Sequence, residues 1–566
     1  MKLFIVLLTG AFMLATGTSD VFAKKKEKVQ TEAKSDTVRT ASKKRNTQYP
    51  RLFKNKRVVT KKGLITIHKI DDKLYFEFPK SLLGREFLMG SSISATSDNT
   101  SGLVGQTMTT PLHIRFAIQE DQVYMQNVTP VSRMDVYSNQ SDISKAVAKS
   151  NITPDMESFK IAAYNMDSTA VVFEVTKFFL ADNKRLPLFD QNSSSLEDEK
   201  YGQLELKAVL KKNLSSIRNF YVFDDNLEIN LDMSFYQSLL ASKKEVRGGN
   251  VRVKAVYSML LLPEETMVWR LGDPRLGYTF TKKQKISTEK DGTAFSYLQH
   301  KWNLLPADEE AYRRGDLVAP RKPVVFYIDS DFPEAWKKAI KEGVNWWNEA
   351  FKMAGFKDAV QTADFPANDT TFYAGNLKYS CIRYVPVNLS KTQSKVWVDP
   401  RSGEIINGTI FVGHDIAKTI ASQRFVQTAQ VDERMRGIQL SEEVLLEGIR
   451  LYVAREVGHC LGLADNASAS AAFSVESLRS PEFTRQNGIA SSVMDELPYN
   501  YIAQPQDGKA DFIQNKLGAY DLFAIQMGYM LVPDAKTPEE IREKIMRWVS
   551  MKSGDPVYRY GKAQYQ

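Results

Sequence analysis

The stretch Leu451–Asn466, LYVAREVGHCLGLADN, decides how the rest of the chain is read. It lies in a predicted helix opening at Ser441, whose hydroxyl suits an N-cap. Glu442 and Glu443 follow, carboxylates that complement the positive end of a helix. Glu456 and His459 form an E-x-x-H pair. Arg455 stands one turn before His459, so the two share a helix face. Gly462 is the expected end of the helix, because a glycine in the left-handed conformation lets the chain reverse. That reversal brings Asp465 back towards Arg455 and His459. By itself an E-x-x-H pair also fits two hydrogen-bonded polar residues on a buried helix.

A chain of 566 residues is too long for one core, so two or three domains are expected. Hydrophobic residues at 43% and charged residues at 25% are ordinary for a folded globular protein. At the N-terminus Lys2 precedes the apolar run Leu3–Ala15 and the small-x-small pattern Val21-Phe22-Ala23. Residues 1–23 therefore read as a secretory signal peptide, and the protein as exported, periplasmic or extracellular. No later stretch is long and apolar enough for a transmembrane segment. Residues 24–62 read as a basic flexible leader containing Lys24–Lys28 and Lys43-Lys44-Arg45, which inflates the net charge of +9. Surface electrostatics towards anionic lipid or polymer are the secondary use of such a leader. Nucleic acid is not an expected partner, since no recognition motif accompanies the charge. Cys381 and Cys460 are too few for a disulfide framework, and Cys460 reads as a small buried thiol on the motif helix.

Residues 63–300 read as a β-rich region of one or two sub-domains. Leu64–His68 and Leu74–Phe78 alternate around the turn Asp71-Asp72-Lys73. Similar segments recur at Ile114–Ile118, Val123–Val128, Ala170–Val175, Phe220–Phe223 and Val251–Leu262. His68, His113 and His300 stand alone and fit ordinary packing or exposure. The texture changes at Pro323. Val324–Ile328 reads as a strand, and a helix follows with Ile340, Val344, Trp347 and Phe351 on one stripe, ending at Gly355. Val396-Trp397-Val398 and Ile405–Val412 read as a hairpin, with His414 solvated beyond it. Ala467–Asn487 reads as polar loop, and Leu517–Met530 as a helix. Thr537-Pro538-Glu539-Glu540 opens a last helix with a capping box. The expected fold class is α+β: the β-rich region, then residues 301–530 with a mixed sheet and the motif helix, then a C-terminal helix and tail at 531–566.

From Gly63 to about Met530 the chain resembles large secreted bacterial zinc-dependent metalloproteases. These join two domains of unknown function to a metzincin-like catalytic domain. The resemblance rests on Gly63–Phe78, Leu82–Phe87, Asp273–Tyr278, Gly343–Phe356, Asp399–Gly408, Arg455–Asn466, Leu478–Thr484 and Ser491–Gln504, in that order. Members of that family usually run longer, so the resemblance implies a further C-terminal portion absent from this sequence. It also implies the motif H-E-x-x-H-x-x-G-x-x-H, with zinc on three histidines and a methionine turn beneath it. Carried over, Glu456 matches the base, His459 the second ligand, Gly462 the turn glycine and Met494 the methionine. Three positions depart. Arg455 stands for the first ligand, Asp465 for the third, and Glu496 for a tyrosine two residues after the methionine.

A catalytic zinc needs three protein ligands and an open position for water. A carboxylate at 465 is an acceptable ligand, whereas arginine has no lone pair to give and stays protonated. The departures make sense together if Arg455 places its charge near the metal position with Asp465, Glu496 or Glu456 as counter-ion. Three functions remain open on this sequence. One is a non-catalytic pseudopeptidase that binds peptide or protein in the cleft, without a cofactor. A second is an active zinc metalloendopeptidase with Glu456 as base. The third is a structural or surface-adhesion protein.

Overall fold

Alternating apolar side chains between Val58 and Leu261 build a single antiparallel sheet. The computed structural model describes residues 48–562 except 99–101, 106, 130–133, 137–140, 190–195, 199, 201, 287–293, 370–371, 388, 390–391, 438, 509 and 536. Thirteen of the described strands join in this sheet, from Val58–Lys62 at one edge to Leu196–Asp198 at the other. Thr66–Ile70 pairs with Lys73–Pro79 across a tight turn in which Asp71 has φ 53°. Its longest ladder is the hairpin Asn226–Ala241 with Lys244–Leu261. One face buries a phenylalanine cluster in which Phe78 sits 4.8 Å from Phe116 and 5.9 Å from Phe87, centroid to centroid. Edge-to-face and tilted ring pairs of this kind contribute beyond simple area burial.

The expected signal peptide and both basic clusters of the leader lie outside the described residues. The leader itself is shorter than the sequence suggested. Residues 48–53 are helical, and Val58–Lys62 pairs with Thr66–Ile70. Tyr49, Leu52, Phe53 and Val58 pack on Ile70, Tyr75 and Val172. Four apolar side chains in ten residues suffice to fold this segment onto the back of the sheet, even among lysines and arginines.

The second half holds a five-stranded sheet ordered Val360–Asp364, Val324–Ile328, Ser380–Val385, Glu404–Gly413, Thr392–Asp399. The first four strands run parallel and the last is an antiparallel edge. Phe326, Ile328, Ile382, Ile410 and Val412 face the helices and share one buried core with Ile340, Val344, Ile449, Val453 and Val457. The opposite face meets the β-rich half: Trp397 joins Leu88, Leu260 and Leu262 in a separate buried cluster. Helices and sheets together give the α+β class.

Three local readings are revised. The apolar stripe predicted as one helix is two, Glu334–Asn345 and Trp347–Met353, abutting at Trp346. All four stripe residues are buried as expected. The segment expected to be loop contains helices Val475–Arg479 and Pro481–Asn487, capped by Ser474 and Ser480; their short turns carry too few apolar residues to show a period. The C-terminal segment is not a separate tail. Helix Pro538–Ser550 buries Ile545 and Val549 in the same core as the motif helix, and residues beyond it return to the motif loop.

Candidate functional site

The motif helix spans Glu442–Cys460, with the Ser441 hydroxyl accepting from the Val444 N–H. Two close approaches set its depth. A Cβ at Gly343 would strike the Arg450 carbonyl, and one at Gly458 would strike Met494 Sδ and the Trp347 ring. Trp347 Nε1 donates to the Ala454 carbonyl at 2.8 Å. At the C-terminal end Trp302 Nε1 donates to the Cys460 carbonyl and the Tyr529 hydroxyl to the Leu461 carbonyl, each at 2.8 Å. Buried helix ends need such partners for their otherwise orphaned carbonyls.

Gly462 has φ 95° and turns the chain back. Its N–H donates to His459, and the Leu463 N–H to Gly458, the bonding that closes a helix through a left-handed residue. The return is pinned from three sides. Thr279 N–H donates to the Gly462 carbonyl and Ala464 N–H to Gly277, while Ala467 N–H donates to the Gly561 carbonyl. Asn466 is fully buried, donating to the Arg559 carbonyl and accepting from the Gly561 N–H, both at 3.0 Å.

Asp465 is thereby set against the helix. Its Oδ1 accepts from Arg455 Nη2 at 2.5 Å and lies 3.2 Å from His459 Nε2. His459 Nδ1 lies 3.0 Å from the Leu463 carbonyl. A carbonyl oxygen only accepts, so Nδ1 carries a proton; a second proton on Nε2 completes the contact with Asp465. Burial pulls the His459 pKa down. The hydrogen bond to Asp465 and the charge of Glu456 outweigh it, and the imidazole stays above its ordinary value. The same hydrogen bond from His459 holds the Asp465 carboxyl below its ordinary range, with burial opposing and Arg455 assisting. Glu456 is buried, and its Oε1 accepts from the Thr392 hydroxyl at 3.0 Å at the start of the edge strand. Of the three counter-ions open to Arg455, the fold selects Asp465.

Met494 is buried beneath the helix against Gly458. Its turn is held by Asp521, a residue to which the motif gave no pointer. Asp521 accepts from the Ser492 hydroxyl at 2.5 Å and from the Val493 and Gly518 N–H groups at 2.8 Å. Full burial pushes its carboxyl up to about 7 despite those bonds. The sequence hint was its place in the first turn of Ala519–Tyr529, which by itself reads as a cap. Glu496 is exposed and lines, with Arg455, Tyr452 and Asp495, a cavity of about 280 Å³ beside the turn.

The remaining histidines stand apart from this constellation. His68 contacts Glu77 and Thr60, His113 contacts Glu86, and His300 lies between Thr279 and Thr281. His414 is exposed and bonded to the Tyr384 hydroxyl. Cys381 and Cys460 are free buried thiols; burial and the nearby Glu456 raise the Cys460 thiol well above its ordinary pKa.

Residues 437–566 match the family model described as Met-zincin. That region is a metzincin-like domain. Residues 105–307 and 47–96 match two further models, both described as domains of unknown function. No curated protein and no solved structure matches the chain. The Met-zincin match begins just before the motif helix and runs through the helix and tail at 531–566, in keeping with their packing against it.

The donor set departs from what a zinc of that domain type requires. Position 455 offers a guanidinium, His459 has its Nδ1 proton on Leu463 and its Nε2 on Asp465, and the Asp465 oxygen is shared by both cations. Among the described residues no group of three His, Cys, Asp or Glu side chains is placed to hold a metal ion. These residues do not fit a zinc ion bound in the metzincin manner. No helix among the described residues is long and apolar enough to cross a membrane.

Proposed function

We propose that this metallopeptidase-family protein is an exported pseudopeptidase. It keeps a metzincin-like cleft for binding peptide or protein and has exchanged zinc for an internal ion pair. The observation that carries the reading is the Arg455–Asp465–His459 contact at the motif helix. A guanidinium in the first-ligand position repels a divalent cation, and the carboxylate that could replace the third histidine is already neutralised. Without a metal-bound water Glu456 has nothing acidified to deprotonate, and the Lewis-acid contribution to peptide hydrolysis is lost. The edge strand Thr392–Asp399 and the exposed Glu496 would remain as a surface for an extended peptide.

Metal analysis of the purified protein, after dialysis against a stated zinc concentration, tests the proposal directly. The expected result is zinc far below one ion per chain, together with no chelator-sensitive cleavage of casein. One tightly held zinc per chain, or cleavage abolished by chelator, overturns the proposal in favour of an active metalloendopeptidase.

A further inference from the structure

The face of the five-stranded sheet turned away from the motif helix meets the β-rich half across a cavity of about 330 Å³. Three charged side chains converge there: Glu228 from the long hairpin, Arg383 from a central strand and Lys395 from the edge strand. The walls between them are aromatic, Tyr373, Trp397 and Phe411. Alternation explains the placement. Thr392 reaches the motif helix through Glu456, whereas Gln393, Lys395 and Trp397 take the other side, with Gln393 donating to the Val104 carbonyl at 2.7 Å.

Glu228 is fixed rigidly. Its Oε1 accepts from the Tyr373 hydroxyl at 2.6 Å and from Asn230 Nδ2 at 2.7 Å. Tyr373 is itself stacked on Tyr221, centroids 4.2 Å apart. A Cβ at Gly375 would collide with Oε2, so a glycine there leaves that oxygen its room. Neither cation closes on this carboxylate. Among the described residues the side chains of Lys395 and Arg383 form no ion pair and no hydrogen bond, although both act electrostatically on Glu228; Lys395 lies 5.1 Å from the Trp397 ring centroid. Burial pulls the Lys395 ammonium down to about 8 and raises the Glu228 carboxyl, so holding these charges apart costs stability. A cavity of roughly 150 Å³ accommodates benzene, so this one has room for a molecule of a dozen or so heavy atoms.

We infer that this interdomain cavity binds a small zwitterion with free amino and carboxyl groups, an amino acid or dipeptide. Its carboxylate meets Arg383 and Lys395, its ammonium meets Glu228 Oε2, and its side chain lies on the aromatic wall. An anion alone would satisfy the cations and leave Glu228 opposed; a cation alone would do the reverse. A zwitterion satisfies both signs at once. This site lies on the sheet face opposite the motif helix, shares only the edge strand with the proposed cleft, and does not depend on the cleft's reading.

The test is calorimetric titration of the full chain with alanyl-alanine, N-acetyl-alanyl-alanine and alanyl-alanine amide. The free dipeptide is expected to bind, with each blocked form weaker by about tenfold or more. Lys395→Met and Glu228→Gln, checked for unchanged melting behaviour, are expected to lose that binding, and Arg455→Met to keep it. Equal binding of the blocked forms, or binding lost in Arg455→Met but kept in Lys395→Met, overturns the inference. So does no heat and no change in melting temperature with free alanine or alanyl-alanine up to about 10 mM. The comparison of blocked and free ligands needs only the unaltered protein.

Discussion

Arg455 and His459 share one oxygen of Asp465, at 2.5 Å and 3.2 Å, ten and six residues along a chain that Gly462 has reversed. Two side chains one helical turn apart are thus tied by a single carboxylate on the returning loop.

Placing imidazoles at positions 455 and 465 tests whether the scaffold around them can hold a metal. The double change Arg455→His with Asp465→His should give a protein that binds about one zinc per chain, read by metal analysis. Gly462, the buried Met494 and the pinned return loop are all in place to orient it. A folded double variant that takes up no zinc would mean that the cleft has changed beyond its ligands.

The raised His459 and lowered Asp465 pKa values fix the pH window of their contact. His459 sits above 6.5 in the folded state, so its contribution is complete below that value and fades as pH rises through the folded pKa. Asp465 sits below 3.8, so its contribution is complete above that value and fades as pH falls through the folded pKa. Both are therefore present between those ordinary values. Asp465→Asn should move the His459 titration, followed by proton NMR, to lower pH. An unmoved titration would show that Asp465 does not hold the imidazolium.

Removing the guanidinium alone should cost little stability. Asp465 is 45% exposed at its side chain, so solvent and salt screen the pair. Arg455→Met is expected to lower unfolding free energy by no more than about 1 kcal/mol, and by less in high salt. A loss above about 3 kcal/mol in urea titration would point to a desolvated pair instead.

Asp521 should matter far more than the pair at the surface of the cleft. Asn in its place has one carbonyl oxygen for three donors, two of them buried backbone N–H groups. Asp521→Asn is expected to cost about 2–4 kcal/mol, measured by denaturant unfolding. The wild-type carboxyl, raised from 3.8 to about 7, binds a proton in the native state that the unfolded chain has released. Its contribution therefore declines as pH climbs from about 4 to about 7, and that decline should be absent in Asp521→Asn.

Much of the site's local form was legible in the chain. The Ser441 cap, the carboxylates after it, the Gly462 reversal and the edge hairpin all follow from rules acting over a few residues. The buried stripe Ile340, Val344, Trp347, Phe351 was equally plain, although its break at Trp346 was not. The short helices at 475–487 escaped periodicity because neither exceeds about two turns.

Sequence alone therefore determined the capped motif helix, its glycine reversal and the buried stripe, and it carried the resemblance of the motif with the positions that depart from it. Tertiary structure decided which acid neutralises Arg455. That choice among Asp465, Glu496 and Glu456 depends on where a loop held by Gly277, Thr279 and Gly561 comes to rest. It also decided that residues 48–62 and 538–561 belong to folded cores, that Asp521 anchors the methionine turn, and that Glu228, Arg383 and Lys395 face one cavity. Periodicity and capping are written within a turn or two of chain. Counter-ions and cavities are set by contacts between residues some ninety to nearly two hundred positions apart, and only packing brings those together.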